Sequence, residues 1–449
     1  ATVIETVIAI IGAGATGVCA ALEAKAAGAR AVLIEQFEDL GGTAATSGGG
    51  CLAVDTPLQR SRGIKDSVAL ALDDWIKWGG GLADEAWARF YIERSCDGLY
   101  VWAEQHGVRW VDVRPQEGNS VSRWHRPDGS GFGLMRTLVD SMHRHRAADV
   151  LLNARVDALS TAGGRVTGLR ATNTVTGAAI DVRARAVIVG TGGFCSNLDM
   201  VLEAKPELAK YRILEGSGRG ATGSGHKLIG AVGGTTTHMG EIWFYMFSTP
   251  DYRDPRGRHG LVFRGTPGYI WVNQQGRRFH DEATSGGASA TPALFRQNPV
   301  HAWAILDTAM TATMHVADPY YEDGPKPVPA KVQELLDHSP YIRKAETLEA
   351  LARKMEVPVS TFVDEVARYN QAIDAGSANE RAFGKSLEGC SRFERAPFYA
   401  VQLFPIARKN LGGVRTDMRC RVLDRAGAPI PGLYAAGEAA GFGGGGMHG

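Results

Sequence analysis

Residues 7–35 read VIAIIGAGATGVCAALEAKAAGARAVLIE, and the rest of the fold is organised around them. Val7 to Ile11 is an apolar run of strand length. Gly12-Ala13-Gly14-Ala15-Thr16-Gly17 is a G-x-G-x-x-G turn, and an alanine-rich helix follows to about Ala27. Ala31-Val32-Leu33-Ile34 is a second strand ending on Glu35. Gly12 permits the tight turn out of the first strand, and Gly14 lets a pyrophosphate approach the backbone. Gly17 allows the helix to pack closely on the sheet, its N-terminus at Ala15 and Thr16 facing the phosphates. Glu35 follows Gly17 by eighteen residues, close to the spacing at which a carboxylate accepts hydrogen bonds from ribose hydroxyls. An ordinary strand-turn-helix would require neither the second strand nor the acid at its tip.

The loops that come next choose the dinucleotide. Gln36 flanks the carboxylate, Gly41-Gly42-Thr43 follows the second strand directly, and Thr46-Ser47-Gly48-Gly49 comes after it. Two glycine-and-hydroxyl loops beyond the ribose carboxylate suit a long cofactor whose ribityl chain and flavin extend away from the adenosine, which favours FAD over NAD. Far along the chain, Ala186-Val187-Ile188-Val189 breaks into Gly190-Thr191-Gly192-Gly193. That is the pattern of a buried parallel strand ending beside a ligand. Gly220 to Gly225 opens another helix by the same device. Leu433-Tyr434-Ala435-Ala436 is a short apolar strand ending in Gly437-Glu438, where a carboxylate can hold ribityl hydroxyls. Val156, in the strand read from Val150 to Ala158, is counted with the cofactor contacts.

Length and composition narrow the class. The 449 residues suffice for two or three domains. A formal charge of +1 without a basic block argues against a nucleic-acid surface or a polybasic membrane patch. The apolar runs fall short of the ~20 residues of a spanning helix. No charged-then-apolar leader precedes Val7, so a soluble cytoplasmic chain is expected. The six cysteines are scattered without a CxxC pair, which predicts reduced thiols and no metal site.

Between the cofactor segments, Asp66 to Trp78, Asp84 to His106 and Phe132 to His145 have helical patterns, whereas Asn119 to Gly133, with His125, reads as a solvated loop. From about Thr235 the texture turns aromatic and arginine-rich, and two helices are expected within Thr347 to Ala375, joined near Val357-Pro358. The predicted organisation is a cofactor domain over residues 1–235 and 385–449, with an inserted domain over residues 236–384.

These residues resemble the fumarate reductase/succinate dehydrogenase flavoprotein superfamily. Gly12 to Glu35, Gly41 to Gly49, Val187 to Phe194, Gly276-Arg277-Arg278-Phe279 and Pro429 to Glu438 carry the resemblance across almost the whole chain. Thr56 to Arg60, Gly63 to Ser67, Ala407 to Val414 and Gly441 to Gly449 look most like the 3-ketosteroid dehydrogenases within it. The resemblance implies an α/β architecture, with a glutathione-reductase-like, Rossmann-type FAD-binding domain and an inserted α+β capping domain. It also implies a small-molecule substrate, a steroid-like ketone or a carboxylate, and an external electron donor or acceptor. The reaction class is hydride transfer between flavin N5 and a carbon next to a carbonyl, with proton transfer by a side chain.

The chain departs from the fumarate pattern at four places. The family's proton-donating arginine falls at Gly286, its relay glutamate at Leu261, its substrate-binding histidine near Tyr245, and its second histidine at Lys409. The position of the flavin-linking histidine is Gly42, so FAD is expected to be non-covalent. A catalytic tyrosine of the steroid enzymes falls at Ser285. The resemblance also implies family sequence past Gly449, with a second tyrosine and a helix facing the flavin pyrimidine ring. Tyr245, Arg264, Arg408 and Lys409 are therefore the catalytic candidates. Tyr245 is a proton-transfer group or an aromatic packing residue. Arg408 and Lys409 are substrate grips or salt-bridging residues, and Arg264 is a relay vestige or a structural residue. Glu282 is read as structural, pairing with Arg277 or Arg278.

Overall fold

The computed structural model describes residues 2–264, 268–284 and 289–441. The chain forms two compact units. The first gathers Ala1–Met200, Ser217–Ile242 and Lys409–Gly449, and the second gathers Val201–Gly216 and Trp243–Arg408.

In the first unit, β1 (Thr2–Ile11), α1 (Ala15–Ala26) and β2 (Ala31–Ile34) form as the sequence predicts. β1 pairs in parallel with β2, from Ile8 opposite Ala31 to Ile11 opposite Ile34. On its other side it pairs in parallel with Ala179–Val189, where Ile11 faces Val189. Pro429–Ala435 adds a further parallel strand, with Ala435 opposite Val189. At their carboxyl ends, Ile8–Ile11, Ala31–Ile34 and Ala186–Val189, these strands are buried or half-buried and their apolar runs are continuous, whereas the amino-terminal halves of β1 and Ala179–Val189 carry exposed residues such as Glu5, Arg183 and Arg185. Their register sets the site: Ile11, Ile34, Val189 and Ala435 end level, and the segments after them leave the sheet along one carboxyl edge. In open parallel sheets that edge is where ligands bind.

Two local readings change. The helix expected from Asp66 begins at Val68, capped by the Ser67 hydroxyl on the Leu70 amide. Asp66 is held outside it by Arg123, which is 1% exposed and bonds Asp66 at 2.8 Å and Asp74 at 2.6 Å. The solvated loop expected around His125 contains a strand instead, Trp124–Pro127, and His125 is fully buried. Its Nδ1 donates to the Arg123 carbonyl at 2.7 Å, so its Nε2 accepts from the Thr56 hydroxyl at 2.7 Å. His125 is thus a satisfied core residue.

The second unit is built on a mixed sheet. Its main path runs Ile270–Val272, Ala302–Leu306, Phe398–Asn410, Ile242–Pro250, Gly260–Arg264 and His315–Val316. The helices Leu348–Met355 and Val359–Asp374 are the pair expected there. The predicted boundaries at residues 235/236 and 384/385 move because of strand pairing. Phe398–Asn410 pairs with Ala302–Leu306, Ile342–Ala345 and Leu214–Glu215, so residues up to Arg408, and Val201–Gly216, belong to this unit. No helix among the described residues is long and apolar enough to cross a membrane.

Candidate functional site

Gly12 turns out of β1 with φ at +94°, and a Cβ there would come 2.6 Å from the Gly190 carbonyl oxygen. A Cβ on Gly17 would come 1.8 Å from the Gly12 carbonyl oxygen, so α1 starts only over a turn without side chains. Gly14 is the N-cap of α1 and supplies no side-chain cap. The first amides of the helix, at Ala15, Thr16 and Gly17, have no intrahelical acceptor. They offer donors and the positive end of the helix dipole to a diphosphate. The second loop is fastened to the first. The Gly41 amide donates to the Ala13 carbonyl at 2.9 Å, and Gly42 packs on Gly14.

Glu35 is buried at the tip of β2. Its Oε2 accepts the Ala13 amide at 2.9 Å and its Oε1 the Phe37 amide at 3.0 Å. A carboxylate has about four lone-pair sites, so each oxygen keeps capacity for a ribose hydroxyl. Gln36 lies beside Gly220, and Thr43 lies against Gly218. The Thr46 hydroxyl donates to the Thr43 carbonyl at 3.0 Å. The Ser47 hydroxyl donates to the Ala44 carbonyl at 2.7 Å and accepts the Gly49 amide at 3.0 Å. Both hydroxyls therefore close their own turn, a local role that their composition alone does not reveal. Gly48 faces the Trp124 ring. Val156 is half-buried in Ala154–Ala162, a strand that begins where the Ala154 amide donates to the Glu35 carbonyl at 2.8 Å.

Along the same edge, Gly190 meets the Thr16 side chain, and Gly437 is so close to Thr16 that a Cβ would come 2.0 Å from its Oγ1. Gly192 faces open space. Gly193 leaves no room at all: a Cβ would come 1.9 Å from Asn410 Oδ1 and 2.8 Å from Glu438 Oε1. Asn410 Oδ1 accepts the Phe194 amide at 2.6 Å, and the Asn410 amide donates to Glu438 Oε1 at 2.9 Å. The Thr191 hydroxyl and the Asn410 side-chain NH2 are buried without a hydrogen-bond partner among the described residues. A floor of glycines, a helix N-terminus, two acidic strand tips and two polar groups in want of partners fit one phosphate- and hydroxyl-bearing dinucleotide.

A family model for an FAD binding domain matches residues 7–449. The chain belongs to that family. This flavoprotein is 29% identical over 445 residues to the NADH:fumarate oxidoreductase of Klebsiella pneumoniae, covering 98% of this chain but only 45% of that protein. It is 30% identical to the vinyl phenol reductase of Lactiplantibacillus plantarum, covering 97% of this chain and 90% of that one. Among solved structures it is similar to the 3-ketosteroid-Δ4-(5α)-dehydrogenase of Rhodococcus jostii RHA1 in complex with 4-androstene-3,17-dione. There the TM-score is 0.69 at 27% identity, over 99% of this chain and 92% of that one. The flavoprotein is thus a member of the fumarate reductase superfamily with ketosteroid dehydrogenase neighbours, and FAD is its cofactor.

The four catalytic candidates do not have equal standing. Tyr245 is half-buried in the strand Ile242–Pro250, its ring stacked on Phe247 at 5.0 Å. Arg264 ends the strand Gly260–Arg264; its side chain lies outside the described residues, as do Ser285, Gly286 and the segment from residue 442. Arg408, half-buried, donates to the Gly216 carbonyl, and Lys409 is exposed. Leu261, at the relay position, is fully buried in an apolar cluster with Met246, Phe247 and Val262. Glu282 bonds Arg278 at 2.6 Å and accepts the Trp271 amide at 2.9 Å, with Lys385 at 3.6 Å. It is structural, as expected, and its partner is Arg278. No disulfide joins the cysteines, and burial holds the Cys19 and Cys51 thiols up at about 12, so both are neutral. Asn410 carries no signal in the sequence, where it stands between Arg408-Lys409 and Leu411-Gly412-Gly413 as a turn residue would.

Proposed function

We propose that this flavoprotein is an oxidoreductase that forms or saturates a carbon-carbon double bond next to a carbonyl. Its substrate is a neutral cyclic or ring-bearing compound of ketosteroid type, ahead of a di- or tricarboxylate. FAD would be held non-covalently by the Gly12–Gly17 turn, Glu35 and Glu438, and would supply hydride-transfer chemistry to the substrate carbon. Tyr245 moves the proton, its phenol acting as base or acid according to the direction of reaction. Arg408 and Lys409 polarise the carbonyl and stabilise the enolate-like charge. Arg264 is a second proton-relay candidate. Electrons reach or leave the flavin through an external partner.

The observation that carries this reading is Leu261. The position at which fumarate reductases relay protons is an alkyl side chain in a dry cluster, and it cannot titrate. Vinyl phenol, the substrate named for one relative, is likewise a conjugated alkene on a ring rather than a dicarboxylate. A second reading, reduction of an unsaturated carboxylate, is favoured by the exposed cation of Lys409 and by the fumarate enzyme of Klebsiella. Anaerobic rapid mixing separates them. Chemically reduced protein is mixed with enones, vinyl phenols, fumarate and acrylate, and oxidised protein with 3-ketosteroids, while the flavin band is followed. Ring ketones are expected to react fastest, and Lys409→Ala is expected to leave them binding while abolishing any carboxylate binding. Fumarate as the best substrate would sink the proposal.

A further inference from the structure

We infer that Asn410 is a cofactor-positioning residue whose side-chain NH2 donates to an oxygen of the FAD ribityl chain. The inference rests on FAD binding and not on the choice of substrate. Asn410 is fully buried, and its orientation is dictated by its neighbours. The Phe194 amide, 2.6 Å away, can only donate, so the atom facing it must be Oδ1 and the NH2 must face the other way. That NH2 meets no acceptor among the described residues. A buried amide left so is costly, and natural cores keep such groups for a partner.

The surroundings say what the partner is. The Asn410 backbone amide orients Glu438 by donating to its Oε1 at 2.9 Å. The side-chain oxygen pins the loop Gly190–Phe194 through Phe194, and Gly193 lies so close that no other residue fits there. One residue therefore fastens two cofactor-edge segments, Gly190–Gly193 and Gly437–Glu438. Its own donor remains available beside a carboxylate whose expected partners are ribityl hydroxyls. Those hydroxyls accept as well as donate, so an oxygen that donates to Glu438 can accept from Asn410.

The test uses FAD titrated into the apoprotein, with quenching of flavin fluorescence as the binding signal and the apoprotein's thermal midpoint as a separate readout. Asn410→Asp keeps the oxygen that Phe194 needs and removes the donor, whereas Asn410→Ala removes both. Both variants are expected to weaken FAD binding by about tenfold or more. Asn410→Asp is expected to keep more of the apoprotein's thermal stability than Asn410→Ala. FAD binding within twofold of wild type in Asn410→Asp would overturn the inference and leave Asn410 a purely structural clasp. Should neither variant fold, an FAD-bound structure of the unaltered protein decides: Nδ2 within hydrogen-bond distance of a ribityl oxygen upholds the inference, and Nδ2 on a protein atom or water overturns it.

Discussion

His226 should make this protein acid-labile. It lies in the helix Ser224–Ala231, 5% exposed, with Phe194 edge-on at 5.5 Å, and neither ring nitrogen has a hydrogen-bond partner among the described residues. Burial alone pulls its pKa down from 6.5 to about 4. The sign follows directly. Above pH 7 the imidazole is neutral in folded and unfolded chains alike and contributes nothing. Below 6.5 the unfolded chain takes up a proton that the native state refuses until about pH 4, so stability is lost as pH falls through that window. At pH 5 the loss is about 2 kcal/mol. His226→Leu removes the titration and leaves no stranded polar group. The variant is expected to match or exceed wild type at pH 7, and its advantage should grow by about 2 kcal/mol at pH 5. Urea melts followed by circular dichroism at both pH values measure this. Equal losses in both proteins between pH 7 and pH 5 would refute the reasoning.

Further outcomes follow from other sites. Gly12→Ala places a Cβ 2.6 Å from a backbone oxygen at φ +94°, so it is expected to cost on the order of 1–3 kcal/mol and to yield protein without flavin absorbance; a yellow variant would contradict this. Burial lowers the pKa of His259, but Asp318 at 2.8 Å, with Asp251 and Asp254, outweighs it and raises the net value above 6.5. The pair's stabilisation is therefore present below pH 6.5 and lost as pH climbs through the raised value, and the gap between wild type and His259→Gln should close over that range. Glu282→Gln leaves Arg278 with Glu380 and the buried Lys385 ammonium with the Tyr269 carbonyl in place of the shared carboxylate, and it is expected to destabilise by about 3–5 kcal/mol in urea melts; a loss under about 1 kcal/mol would mean the cluster is held otherwise.

The β1-α1-β2 segment was legible because its constraints are local. Gly12 and Gly17 are glycine for reasons of contact distance that any residue with a side chain violates, and the flanking strands are continuous apolar runs. Trp124–Pro127 was not legible. It lies between Trp110–Arg114, joined to it through a polar, glycine-bearing connection, and Cys51–Leu52, more than seventy residues away, and its own residues look like a basic loop. The limits of the second unit were misplaced for the same reason, since the pairing of Phe398–Asn410 with Leu214–Glu215 leaves no trace in composition. At the site, the two acidic strand tips announced themselves by residue type. Asn410 did not, because an asparagine between Arg408-Lys409 and Leu411-Gly412-Gly413 has the composition of a turn, and only its burial marks it out.

The chain passes between its two units four times, at residues 200/201, 216/217, 242/243 and 408/409. During synthesis, β1 and Ala179–Val189 leave the ribosome long before Asn410, the strand Pro429–Ala435 and Glu438, which complete the same cradle. The nascent chain therefore carries an unfinished nucleotide fold through the whole of the second unit's translation. Loading of FAD becomes a late event, and a product interrupted before residue 409 would emerge colourless however well its first two hundred residues had folded.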